Sequence, residues 1–238
     1  MNFTKNFKED LLVLKEALIN KDKFSFSKYA DGEFHILRNS SLRNIDNWYF
    51  DSTKDNRFHT MLNDSFNYKD DGYHIGISCP CCDKSTSDWY LKNKGSDDSN
   101  TTFANLFVNS NYKIFKEELL PTFNRFDRIF LIANKDSNLS TLKTVLNFTD
   151  FYGIGPEAFK TDLGLIETLT TKINEDNIKD ALFLFCSGPL GNVLAHKLWD
   201  SNKNNTYIDI GSTLNIWTGK NVRDYQSGGY YSNKVCHF

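Results

Sequence analysis

The chain opens on a helical period and then changes to a strand period. Phe7, Leu11, Leu14 and Leu18 fall on one face of a 3.6-residue repeat, which predicts a helix over 7–20. Phe24-Ser25-Phe26-Ser27-Lys28-Tyr29 then alternates aromatic and polar residues, as a strand does. Further strands are predicted over 73–77, 128–133, 148–152, 181–186 and 207–210. The later ones are nearly continuous apolar runs, the pattern of parallel strands covered on both faces. Helical patterns separate them: 103–107, 112–120 and 140–146, a long amphipathic stretch from Phe159 to Ile173, and another through Leu190, Val193, Leu194 and Leu198. Strands alternating with helices make βαβ units. The expected fold is α/β, one Rossmann-like domain over 1–238 with a mainly parallel sheet flanked by helices. Residues 40–71 and 85–102 are polar and predicted to be long loops, which in compact domains are often functional.

Composition narrows the function. Twenty-eight basic against 30 acidic residues leave a net charge of -2, so no basic excess is present to hold nucleic acid. No run reaches the ~20 apolar residues of a membrane span. Met1 to Asp10 is polar and lacks an apolar signal core, and five cysteines are too few for a disulfide scaffold. Reduced thiols and a cytoplasmic location are therefore expected.

In an open parallel sheet, ligands bind beyond the carboxyl ends of the strands. The first strand is followed by Asp31-Gly32-Glu33. If that segment stays extended, both carboxylates point to one side and suit Mg²⁺ or Mn²⁺. A plain turn with Glu33 opening a helix is the bland alternative. The fifth strand leads into Ser187-Gly188-Pro189-Leu190-Gly191 and an amphipathic helix. Ser187 is expected to cap that helix and Pro189 to sit in its first turn, giving an N–H-lined anion site for a diphosphate. Glycines for close helix–strand packing explain the same residues without a ligand.

These segments resemble a known family. Residues Phe26 to Phe34 are similar to the Ser-x-x-Arg-Phe-Gly-Asp-Gly-Glu signature of GT-D-type glycosyltransferases, first catalogued as a domain of unknown function. Cys186 to Leu198 resembles that family's Gly-Pro-x-x-x-x-Leu-Ala-x-x-Leu element, and Tyr207-Ile208-Asp209-Ile210-Gly211-Ser212 its Ile-Asp-Ile-Gly strand. The resemblance implies a metal-dependent glycosyltransferase moving a sugar from a nucleoside-diphosphate donor, by analogy UDP, to a glycan or glycoprotein acceptor. It implies that Asp31 and Glu33 hold Mn²⁺ or Mg²⁺ against the donor diphosphate. Ser27, Lys28, Ser187, Gly188, Pro189, Gly191 and Ser212 are then expected at the donor. The chain departs from the pattern at Lys28 (usually Arg), Ala30 (usually Gly) and Ser212 (often His).

Inverting transfer also requires a base for the acceptor hydroxyl. Asp209, at the end of the last strand, is the first candidate; a carboxylate that orients backbone or Arg223 is the alternative. Arg223 is a candidate clamp for a phosphate or sugar. Competing activities are a non-catalytic nucleotide-sugar-binding module and, further off, a metal-dependent phosphoesterase. Cys79-Pro80-Cys81-Cys82 with Cys236-His237 offers zinc ligands if the tail folds back, but the spacing is not that of paired Cys-x-x-Cys knuckles, and packing is the preferred reading.

Overall fold

Nine strands follow one another through the described residues, 1–220 and 222–228, of the computed structural model: β1 (Ser25–Lys28), β2 (Leu42–Arg43), β3 (Tyr49–Phe50), β4 (Tyr73–Ile77), β5 (Thr101–Phe103), β6 (Ile129–Asn134), β7 (Asp150–Ile154), β8 (Leu182–Phe185) and β9 (Thr206–Asp209). Seven form one sheet in the order β5-β4-β1-β9-β8-β6-β7, and every pairing in it is parallel. β2 and β3 make a separate antiparallel ribbon.

The strand period of two sorts the core into two layers. Phe130, Ile132, Phe183 and Phe185 enter one buried cluster, whereas Ile129, Leu131, Leu182 and Leu184 enter the other. Each such side chain contributes roughly 1.5–3 kcal/mol by leaving water. The helix Phe7–Asn20 covers one face and the helix Pro189–Ser201 the other. The product is a single α/β domain with a parallel sheet covered on both sides. Among the described residues no helix is long and apolar enough to cross a membrane.

Several expected elements are displaced. The polar stretch 40–71 holds the β2–β3 ribbon and a helix, Asn56–Asn67, whose buried apolar residues are only Phe58, Leu62 and Phe66. The stretch 85–102 holds most of the helix Lys84–Asn93, capped by Asp83 accepting from the Thr86 N–H, and the start of edge strand β5. The expected helix at 103–107 is instead the end of β5 and a 3₁₀ turn, Ala104–Leu106. The helix from Phe159 to Ile173 is broken into Ala158–Thr161 and Gly164–Glu175, where Asp162 Oδ2 accepts from the Gly155 N–H and the Thr161 hydroxyl. The helix expected at 140–146 shortens to Leu139–Leu142, capped by Asn138. The one at 112–120 contains a π turn, Phe115–Leu119, just before Pro121, which has no N–H to continue the ladder.

Candidate functional site

A cavity of about 470 Å³ opens at the carboxyl ends of the sheet. Its wall takes Lys28 from the end of β1, Ala30, Asp31, Gly32 and Glu33 from just beyond it, Asn134 from β6, and Gly155 and Pro156 from beyond β7. Cys186 to Pro189 follow β8, and Gly211 and Ser212 follow β9. This is the crevice in which parallel sheets bind ligands.

Lys28 ends β1 and is only 8% exposed. Burial opposes its charge, yet Asp209, Glu33 and Asp31 outweigh burial and hold the ammonium above its ordinary range. No carboxylate among the described residues lies within ion-pair distance of Nζ, and no hydrogen bond occupies it. Its stem runs over Gly211: a Cβ there would stand 2.5 Å from Lys28 Cε and 3.0 Å from Nζ. Gly211 also has φ +54°, so a side chain there would strain the backbone and displace the end of the Lys28 side chain.

Asp31-Gly32-Glu33 is not extended. It forms the first turn of the helix Asp31–Leu37, because Glu33 Oε2 accepts from the Ala30 N–H at 2.9 Å and closes the turn. The two carboxylates therefore do not share a strand face, although both still line the cavity. Asp31 is exposed and has no hydrogen-bond partner among the described residues. Glu33 is 7% exposed; burial pushes its carboxyl up, and Lys28 pulls it back. Gly32 leaves room for the indole of Trp48, which a Cβ would meet at 3.1 Å.

Asp209 lies beneath the wall. It is 2% exposed, with Oδ2 accepting from the Lys28 N–H at 3.3 Å and Oδ1 from the Gly211 N–H at 2.9 Å. Burial pushes it up to about 7 against the pull of Lys28. The carboxylate thus ties the end of β1 to the turn after β9.

The helix Pro189–Ser201 begins differently from expectation. Gly188, not Ser187, is its N-cap, with φ +55° and no side-chain cap; Pro189 occupies the first turn as expected. Ser187 Oγ is buried without a partner. Gly191 is turned from the cavity and packs on Asp209, whose Oδ1 a Cβ would meet at 3.0 Å. Ser27 is likewise turned away: its hydroxyl accepts from Asn192 Nδ2 at 3.0 Å in the helix–strand interface. Of the residues expected at the donor, Lys28, Ser187, Gly188, Pro189, Ser212 and Arg223 line the cavity, whereas Ser27 and Gly191 do not.

Part of the rim comes from the stretch 40–71, expected to be a loop. Trp48, from the β2–β3 ribbon, packs edge-on against Phe159 at 5.6 Å, and both line the cavity. Arg223 lies on the rim but is ion-paired to Asp46, which fastens 222–228 to the ribbon. Tyr225 Oη lies 2.9 Å from Ser212 Oγ, and Gln226 Nε2 donates to the Ser212 carbonyl at 2.7 Å. Trp48 had only one signal in the sequence, an aromatic inside a long polar segment. Cys236 and His237 lie outside the described residues.

No family model matches the chain, and no curated protein matches it. Two solved structures do. One is described as the highly conserved domain of unknown function 1792 with a distinct glycosyltransferase fold; it has 15% identity and a TM-score of 0.63, over 94% of this chain and 83% of that one. The other, a glycosyltransferase with the same domain from Streptococcus sanguinis, has 15% identity and a TM-score of 0.64, over 94% of this chain and 85% of that one. At that identity the likeness shows the fold alone: this chain has a glycosyltransferase fold.

Proposed function

We propose that this chain, built on a glycosyltransferase fold, is a metal-dependent glycosyltransferase that moves a sugar from a UDP-type donor to a glycan or glycoprotein acceptor. The observation that carries this reading is the ammonium of Lys28 at the cavity wall, largely buried yet without an ion pair, beside two carboxylates. A buried cation held charged and unpaired is an arrangement that a diphosphate completes.

The donor set fits a hard divalent cation. Asp31 offers two uncommitted oxygens and Glu33 one beyond its bond to the Ala30 N–H. One or two carboxylates plus substrate phosphates are what Mg²⁺ and Mn²⁺ ordinarily take. Such an ion supplies neutralisation of the charge that develops on the leaving diphosphate.

The chain's own groups do the rest. Lys28 holds the diphosphate as a point charge, and Gly188, whose φ of +55° favours glycine, leaves its backbone bare toward the ligand. Trp48 and Phe159 close the cavity and exclude water. Asp209 acts in this reading as a positioning residue: its two backbone hydrogen bonds set the Lys28 peptide and the Gly211 turn, and its burial leaves it no path to an acceptor hydroxyl. Cytoplasmic residence and the absence of a nucleic-acid partner belong to the same reading.

Calorimetry of UDP binding with and without Mn²⁺ tests the metal pair. Asp31→Asn is expected to abolish the Mn²⁺-dependent part of UDP affinity while leaving the melting temperature near that of the parent. Full Mn²⁺-dependent binding in that variant removes the metal assignment.

A further inference from the structure

Three cysteines that glycosyl transfer does not use converge in the turn after β4. Cys79 Sγ lies 3.0 Å from Cys81 Sγ and 3.3 Å from Cys82 Sγ, and the sulfurs of Cys81 and Cys82 are 3.8 Å apart. The backbone brings them together: the N–H groups of Cys82 and Asp83 both donate to the Cys79 carbonyl at 3.1 Å, and Pro80 fixes one dihedral of the turn. Cys79 is buried, Cys82 half-buried and Cys81 exposed, so the cluster has a dry side and an open side.

Two observations separate this cluster from thiols that merely pack. In a tetrahedral zinc site, Zn–S bonds of about 2.3 Å place ligand sulfurs about 3.8 Å apart; Cys81 and Cys82 already stand at that separation, and Cys79, closer to both at 3.0 and 3.3 Å, would move outward by less than an ångström to admit the ion. The side-chain amide of Asn109 donates to Cys82 Sγ at 3.5 Å, the kind of outer hydrogen bond that orients a thiolate ligand. Soft sulfur donors select zinc over Mg²⁺ or Mn²⁺, so this site and the Asp31–Glu33 pair do not compete for one ion.

We propose that Cys79, Cys81 and Cys82 bind one structural zinc ion, with a fourth ligand entering from the open side. Cys81 is disulfide-bonded in this structure, so uptake follows reduction. A thiol reductant breaks that S–S bond by exchange and ends as its own disulfide; zinc then displaces the thiol protons to solvent. The ion's place explains its use. The cluster leads into the helix Lys84–Asn93, whose Tyr90 hydroxyl donates to the Ala30 carbonyl at 2.6 Å, next to Asp31. Asn109 lines the cavity. Zinc would brace one rim of the site without touching the reaction.

The test is metal analysis and cobalt substitution of the full chain purified under a thiol reductant. The expected result is one zinc per chain by mass spectrometry. Exchange for Co²⁺ should give thiolate-to-cobalt charge transfer and the intense visible bands of a tetrahedral site. The double variant Cys79→Ser/Cys82→Ser should lose both signals, while Cys186→Ser keeps them. Asn109→Ala should weaken zinc binding by about 10–100-fold. A reduced parent chain that takes up no zinc, or a cobalt form without charge transfer, overturns the proposal even if the serine variants fail to fold.

Discussion

Lys28 is where local sequence and chemistry meet most directly. An ammonium 8% exposed would cost several kcal/mol on its own; here Asp209, Glu33 and Asp31 keep it charged. Lys28→Met retains length and removes charge. UDP affinity should fall by about 1.5–3 kcal/mol, roughly 10- to 150-fold, read by calorimetry in the presence of Mn²⁺. Lys28→Met with parental UDP affinity would reduce Lys28 to a structural charge. The alternation of Phe24, Phe26 and Lys28 against Ser25 and Ser27 made its inward direction legible. Other residues were legible only as types. Asp31 and Glu33 reach the cavity, but through a helical turn, because the Glu33 carboxylate finds the Ala30 N–H before the strand can continue. Ser187 looked like a cap, yet the left-handed φ of Gly188 hands the cap position to the glycine.

At the scale of elements, legibility followed the strength of the period. The opening helix and β4 coincide with their expected spans, and β6, β8 and β9 lie within a residue or two of theirs, because their apolar runs are long and bounded. The helix Asn56–Asn67 is hidden among polar residues because only three of its buried side chains are apolar. β5 was missed because an edge strand of two threonines and a phenylalanine carries little apolar signal. The break at Asp162–Leu163 was hidden for another reason. The apolar repeat runs through it, and only the competing hydrogen bonds of Asp162, a tertiary feature, interrupt it. The motif-bearing turns are legible in the sequence, whereas of the rim that closes over them only Arg223 is.

For the whole molecule, the strand order was beyond the sequence, since β9 returns to pair with β1 and only that pairing brings Asp209 against Lys28. Two buried histidines give the fold a pH dependence. Burial pushes His196 down to about 4 and His74 to about 3 from 6.5, and His196 Nδ1 lies 3.0 Å from the Ser65 hydroxyl. A histidine depressed in the folded state stabilises it fully above 6.5. That stability is lost as acid protonates the unfolded chain first. Asp209, raised to about 7, works in the opposite direction over the same range, so a variant comparison is needed. Relative to His196→Gln, the parent should lose about 2 kcal/mol of unfolding free energy between about pH 7 and about pH 5, measured by urea titration. An unchanged difference would mean that His196 is not held neutral by the fold.

The central claim is turnover of a sugar donor at the cavity beyond β1, β8 and β9. It is tested most directly by UDP release from a panel of UDP-sugars with Mn²⁺, with and without glycan acceptors. The account predicts release from at least one donor, abolished by chelation and by Asp31→Asn, and accelerated by an acceptor. Tight Mn²⁺-dependent donor binding with no release under any acceptor would contradict it and leave a nucleotide-sugar-binding module in its place.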